Sequence, residues 1–254
     1  MTKDVNSEFA IELVGVSKSF PPKVIYEGLD LQVRRGETLT VLGPSGTGKS
    51  VMLRLIIGLE RPDEGRILVG GVDIVPLAEG ELRDVRRKVA MLFQGAALFD
   101  SMTVAENVAY GLREHYSWDE DKIAARVTEC LESVGLGGSE TTSPSALSGG
   151  MKKRVALARA LAPGPEVILY DEPTTGLDPA NSRRINELIR SLQKTLGVTS
   201  IVITHDMSSA LAVADRIALI ADHKIAELVA IDLAKSAPPP ALKAFFDGEE
   251  ALQP

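Results

Sequence analysis

The sequence predicts an α/β fold: a parallel β-sheet covered by helices, with an antiparallel β segment at its start and a helical segment inserted between its strands. Three observations predict it. Residues 9–35 alternate apolar and polar side chains (Phe9, Ile11, Leu13, then Leu29, Leu31, Val33), the period of a sheet with one buried face. Five short apolar runs follow at 38–42, 89–93, 167–170, 200–204 and 217–221. Several are separated by helical patterns, which marks parallel strands covered on both faces. Between the second and third runs, 95–165 reads as almost entirely helical.

Taken in order, the run at 38–42 leads into Gly43-Pro44-Ser45-Gly46-Thr47-Gly48-Lys49-Ser50, a match to G-x-x-x-x-G-K-[ST]. The apolar stretch 51–57 then reads as a buried helix ended by Gly58. A strand, a glycine loop and a helix N-terminus together suit a bound phosphate, because glycine lets the backbone curl with its N–H groups facing an anion. Lys49 is expected to reach the β- and γ-phosphates and Ser50 to ligate Mg²⁺. In the insertion, helices are expected at 103–113, 119–134 and 149–161, with Thr103 and Asp119 as N-caps. Leu147-Ser148-Gly149-Gly150-Met151 opens the last of these. A hydroxyl and two glycines at a helix N-terminus make a second anion site, and an ordinary cap needs no pair of glycines. Two phosphate sites in one chain suggest a nucleotide shared between two copies.

The run at 167–170 delivers Asp171 and Glu172 at its C-terminal end, where ligands bind in open α/β sheets. Asp171 is expected to hold Mg²⁺, directly or through water, and Glu172 to orient and deprotonate an attacking water. Near the end, Pro238-Pro239-Pro240 breaks the chain, and a short helix at 241–246 is expected before an acidic tail.

Composition narrows the function classes. A chain of 254 residues with 44% hydrophobic and 25% charged residues can bury a large core. Its net charge of −7 argues against nucleic acid as a partner. The longest helical apolar run, around 51–59, contains Arg54 and falls short of the roughly 20 residues that span a bilayer, so a membrane role is expected through a partner. The polar start, 1–8, lacks the pattern of a secretion signal. A single cysteine, Cys130, excludes an internal disulfide and is expected packed on one face of a helix. His115 and His223 match no motif and are expected at the surface.

Six motifs stand in order: the loop 43–50, Gln94 after the strand 89–93, Leu147 to Met151, the segment 168–172, Gly176-Leu177-Asp178-Pro179, and His205 after the strand 200–204. Together they resemble the ATPase subunit of an ABC transporter, over roughly residues 9–230. The resemblance implies a P-loop NTPase (RecA-like) core, at 9–94 and 166–230, with an N-terminal antiparallel β subdomain. It further implies an inserted α-helical subdomain at 95–165 and a short C-terminal tail at 231–254, the whole forming one nucleotide-binding domain. It implies ATP and Mg²⁺ as ligands. Phe20 then stacks on adenine, Gln94 ligates Mg²⁺ or the lytic water, His205 donates to the γ-phosphate, and Asp178 pins a facing subunit. Two copies face head to tail as a homodimer, each ATP lying between one phosphate loop and the other copy's Ser148, Gly149 and Gly150. Closure draws together the two subunits of a transmembrane permease. With Lys49, Asp171, Glu172 and His205 all present, a binding-only subunit is not expected.

Phe93 to Val104, Asn107 to His115 and Leu147 to Arg154, with Met151 where other ABC subfamilies carry Gln, are similar to the Mla/Mce lipid-transport ATPases. That similarity implies phospholipid transport across a bacterial envelope, from the cytoplasmic face of the inner membrane. It also implies an Mce-domain partner and leaves room for a small regulatory subunit. Another ABC import or export system and a soluble ABC-type assembly ATPase are the alternatives. One departure stands out: after Ile225, where many relatives carry a Gly-Thr turn, 226–231 stays mostly apolar with no glycine. Phe245 and Phe246 are expected to dock on the chain's own core rather than grip a neighbour.

Overall fold

The computed structural model describes residues 8–248; most of the polar start and the acidic tail lie outside the described residues. The alternating segment forms a hairpin of β1 (Phe9–Phe20) and β2 (Lys23–Arg34), joined by β4 (Glu64–Val69) and β5 (Val72–Asp73) in an antiparallel sheet of order β2-β1-β4-β5. The apolar runs form the second sheet: β3 (Thr38–Leu42), β6 (Val89–Leu92), β7 (Val167–Asp171), β8 (Thr199–Ile203) and β9 (Arg216–Ala221), all parallel. The last strand, β10 (Lys224–Ala230), turns back antiparallel to β9, giving the order β10-β9-β3-β8-β7-β6. The apolar segment without a glycine turn is this edge strand, and it runs directly into α8 (Ile231–Ser236).

The parallel strands read as continuous apolar runs because both of their faces are covered, and the period of two sorts their side chains. Leu39, Val41, Leu169, Ile201, Ile203, Ala218 and Ile220 pack on one side with α1 (Lys49–Ile56), whose Met52, Leu53, Leu55 and Ile56 are buried between the two sheets. Ile168, Tyr170 and Val202 point to the other side. There they share a core with α3 (Val104–His115), α4 (Glu120–Ser133), α5 (Gly149–Leu161) and α6 (Pro179–Leu196). The helical insertion is thus packed continuously with one face of the sheet. Leu42, Ile217 and Leu219 meet α7 (Met207–Val213), α8 and α9 (Pro240–Phe246), and Phe245 and Phe246 pack against this third cluster of the chain's own core.

The insertion's helices begin where the sequence places their caps. Thr103 Oγ1 accepts from Glu106 N at 3.2 Å while Glu106 Oε2 accepts from Thr103 N at 2.7 Å, a reciprocal box. Asp119 Oδ1 accepts from Lys122 N at 2.7 Å. Each cap contributes about 1 kcal/mol to its helix. Cys130 is buried on α4, and burial pushes its thiol up to about 11, leaving it an inert packed group. His115 and His223 are exposed, although His223 Nδ1 also lies 3.2 Å from Ile25 O. The remaining helix, α2 (Glu79–Lys88), has no counterpart in the expectations above.

Candidate functional site

The fully buried β3 leads into the loop 43–50, whose crest, Pro44 to Gly46, is exposed. Gly48 takes φ +93° at the N-cap of α1, and a Cβ there would lie 2.3 Å from Ile25 Cγ2, so this position admits only glycine. The antiparallel sheet braces the loop: Tyr26 Oη donates to Gly48 O at 2.6 Å and Lys23 Nζ to Gly46 O at 2.8 Å. Lys49 is buried and donates to Gly43 O (2.6 Å) and Pro44 O (2.9 Å), folded beneath the curl of its own loop. Burial lowers its pKa, and the carboxylates of Glu172 and Asp171 oppose that shift.

At the end of β7, Asp171 Oδ1 accepts from Ser50 Oγ at 2.9 Å, which joins the start of α1 to the neighbouring strand. Burial raises the Asp171 pKa, while the Ser50 bond works against the shift. Glu172 takes φ +51°, a left-handed conformation for a residue with a side chain, and its backbone N donates to Ile203 O at 2.9 Å. Its carboxylate accepts from Thr175 Oγ1 at 2.9 Å and lies 3.0 Å from His205 Nδ1. The Glu172 side chain is 14% exposed against 63% for His205, so the acid is shielded and the imidazole faces outward. Ser50 and Asp171 present hard oxygens side by side. Among the described residues no cluster of three or more metal-ligating side chains exists. That donor set fits Mg²⁺, which takes one or two protein oxygens together with phosphate and water, and does not fit a closed protein cage.

Phe20 sits at the tip of the β1–β2 hairpin, 41% exposed, with Lys18 Nζ 4.9 Å over its ring. The Lys18 side chain is itself 12% exposed, so its cation packs against the ring, which stays partly exposed. Asp63 holds this segment, accepting from Ser19 N at 2.6 Å and Lys18 Nζ at 3.2 Å. Gln94 is exposed in the loop after β6. The same loop holds Ala96 and Ala97 at φ +60° and +50°, and Arg159 of α5 donates to their carbonyls at 3.1 and 2.9 Å.

Ser148 is the N-cap of α5, its Oγ accepting from Met151 N at 3.3 Å. The pair of glycines that the sequence reading ascribes to an anion has a second cause: a Cβ on Gly150 would lie 2.8 Å from Asn181 of α6, so close helix packing alone demands one of them. Asp178 caps α6, accepting from Ala180 N and Asn181 N. The segment carrying it lines, with His205, a groove of about 370 Å³. The fold thus brings Lys49, Ser50, Asp171, Glu172 and His205 together and places Ser148, Gly150 and Asp178 at a second locus. No hydrogen bond ties the Phe20 or Gln94 side chains to either locus among the described residues, and both are exposed.

Four residues of the neighbourhood escape sequence reasoning: Lys23, Tyr26, Arg159 and Lys153. Lys153 is buried on α5 and donates to the carbonyls of Glu172 (3.3 Å), Pro173 (2.9 Å) and Thr175 (2.7 Å). The one sequence signal for it is a lysine on the apolar stretch of a helix.

Residues 26–175 match the family model described as ABC transporter. The chain is 47% identical over 220 residues to the methionine import ATP-binding protein MetN 2 of Rhodococcus jostii, covering 86% of this chain but only 64% of that protein's length. It is 40% identical over 238 residues to the intermembrane phospholipid transport system ATP-binding protein MlaF of Escherichia coli K12, covering 94% of this chain and 88% of the relative. Among solved structures, the dimeric post-hydrolysis state of the ATP-binding cassette MJ0796 bound to ADP and Pi superposes with a TM-score of 0.79. It is 33% identical and covers 87% of this chain and 98% of that one.

Proposed function

The chain belongs to the ABC transporter family and is an ATPase of that family, and from that premise we propose that it is the motor subunit of a membrane transporter that moves phospholipid across a bacterial envelope. The observation that carries the chemistry is the joint placement of Ser50 against Asp171 and of Glu172 against His205 at the C-terminal end of the sheet.

In this reading the loop residues Gly43 to Ser50 cradle the phosphates with their backbone N–H groups, and the exposed ring of Phe20 stacks on the base. Lys49 leaves the carbonyls of Gly43 and Pro44 to neutralise the β- and γ-phosphates. Ser50 and Asp171 hold Mg²⁺, with Gln94 completing the set when its loop closes. Mg²⁺, when bound, neutralises charge on the phosphate oxygens. Glu172 orients and deprotonates the attacking water, and His205 donates to the γ-phosphate. Ser148, Gly149 and Gly150 serve the nucleotide of a second copy, and Asp178 packs across that interface.

The assembly belongs to the proposal as well. It comprises a homodimer beneath a permease pair, an Mce-domain partner, and a place on the cytoplasmic face of the inner membrane. Among the described residues no helix is long and apolar enough to cross a membrane. The division into a core at 9–94 and 166–230, a helical subdomain at 95–165 and a tail from 231 is part of the same reading. Lipid cargo is supported by similarity to MlaF along 94% of this chain and by the composition of the loop from Phe93 to Met102. The 47% identity to MetN 2 favours a second reading, import of a small solute.

One experiment separates the two readings. Tagged chain is drawn from native membranes in detergent, and co-purifying proteins and lipids are identified by mass spectrometry. A permease with an Mce-domain protein and bound phospholipid is the expected result. A permease with a solute-binding protein and no enriched lipid would replace the lipid cargo and keep the motor.

A further inference from the structure

Lys153 is a buried cation that the reaction described above does not use. It is 6% exposed and, among the described residues, forms no ion pair. Burying an unpaired ammonium costs several kcal/mol unless its donors are satisfied. Here all three N–H donors have acceptors, and all three acceptors are main-chain carbonyls of one turn: Glu172, Pro173 and Thr175. A methionine of similar length would fill the space without that cost. What the ammonium adds is convergence of three carbonyls on one point, which defines the path of the turn.

That turn begins at Glu172, whose φ of +51° is strained for a residue with a Cβ. Holding its carbonyl fixes the peptide plane that follows and, with it, the direction of the Glu172 carboxylate toward Thr175 and His205. The helix that carries Lys153 starts at Ser148. Gly150, between them, is packed against Asn181, whose side chain bonds Asp178. The first two turns of α5 therefore reach the segment at Glu172, Pro173, Thr175 and Asn181, and among the described residues no hydrogen bond joins 148–151 to 43–50.

We propose that Lys153 is a positioning residue that makes each chain's water-activating Glu172 responsive to the nucleotide capped by that same chain's Ser148 across the dimer interface. The inference rests on the roles given above to Glu172 and Ser148. A nucleotide seated on Ser148 belongs to the facing copy, so its arrival displaces or orders the start of α5. Lys153, one turn further along, transmits that change to the Glu172 turn of its own site. The two sites of a dimer are thereby coupled through two symmetry-related lysines, each acting within its own chain.

The coupling has a direction, and mixed dimers of full-length chains with two different tags, purified through both, read it. In the first arrangement one chain carries Lys153→Met and the other Glu172→Gln, so the only working Glu172 sits beside the altered lysine. In the second, one chain carries both substitutions and the other neither, so the working Glu172 keeps its own Lys153 but uses the altered chain's Ser148. Expected is at least a tenfold fall in kcat for the first arrangement, with KM for ATP within about twofold, and about half the wild-type rate for the second. Lys153→Arg in the first arrangement should restore part of the loss. Equal losses in both arrangements would mean a general packing role, the reverse pattern would mean action through Ser148 alone, and no loss in either would mean no role; each overturns the proposal. Dimers with Glu172→Gln in both chains must lose at least about 10²-fold in turnover; turnover near the wild-type rate there would overturn the Glu172 assignment, and the proposal with it, in a control that does not involve Lys153. Should Lys153→Met not fold, Lys153→Gln, which keeps two N–H donors without charge, takes its place and is judged by the same outcomes.

Discussion

In the proposed reaction Glu172 takes a proton from water while its neighbours hold the carboxylate still. Thr175 Oγ1 and His205 fix the two oxygens, and the left-handed backbone throws the side chain to the end of β7. Glu172→Gln keeps the shape, can still accept from Thr175, and removes the base. Turnover should fall at least about 10²-fold while ATP affinity changes little, and a nucleotide-bound dimer should accumulate. Steady-state hydrolysis beside equilibrium nucleotide binding and sizing in ATP checks this; a variant that turns over normally would remove Glu172 as the base. At this scale, what the sequence shows and hides has a physical basis. Ser50 and Asp171 are 121 residues apart yet legible, because each belongs to a motif of side-chain types at fixed spacing. Lys153 was not legible, because its acceptors are main-chain carbonyls, which leave no trace in residue identity.

Elements differ in the same way. β3 and β8 are buried at every position and stand out as apolar runs. In β4 the first three residues, Glu64, Gly65 and Arg66, are exposed, and in α2 only Leu82 and Val85 are buried among a row of charges. Both are short and carry few apolar residues, and their place comes from pairing with β1 and packing under α1. Asp215, in the turn before β9, joins several elements at once. It accepts from Thr38 N of β3 (2.9 Å), Arg190 Nη1 of α6 (2.8 Å) and Gln193 Nε2 of α6. Burial pulls its pKa up, but the hydrogen bonds from Thr38, Arg190 and Gln193 outweigh burial and hold the carboxyl below its ordinary value of 3.8. For a carboxyl lowered by folding, the stabilisation is fully present above the unfolded-state pKa and is lost as pH falls through the folded-state value. Asp215→Asn should therefore lower Tm at neutral pH, on the order of 5 °C for hydrogen bonds to a charged acceptor in a chain of this size. The gap from wild type should close as pH drops below about 4. Melting curves across that range decide it, and a gap unchanged into acid would deny Asp215 its role as a charged tie.

At the scale of the whole molecule, the proposed function has one chain contain all the parts of a nucleotide site without assembling them. The loop 43–50 and the carboxylates of β7 lie together, while the Ser148 hydroxyl accepts from Met151 N of its own helix. A single chain would then bind nucleotide on one side only, and hydrolysis would require a second copy to cover the other. This arrangement permits complementation that separate, self-contained sites would not. Ser148→Arg places a bulky cation where the facing copy's phosphates belong and removes an N-cap worth about 1 kcal/mol, leaving that chain's own loop intact. Lys49→Ala disables the loop and leaves Ser148 intact. Each variant alone should be nearly inactive. A mixed dimer pairs the good loop of the first with the good Ser148 of the second, so one of its two sites is whole. Random pairing at equal amounts should return about a quarter of the wild-type rate if one whole site suffices, and less if both must fire. Hydrolysis measured over a series of mixing ratios distinguishes these cases. Activity that peaks at equal mixing requires a site shared between chains, and activity that only falls with dilution of wild type, and never rises between the two variants, would place each site within a single chain.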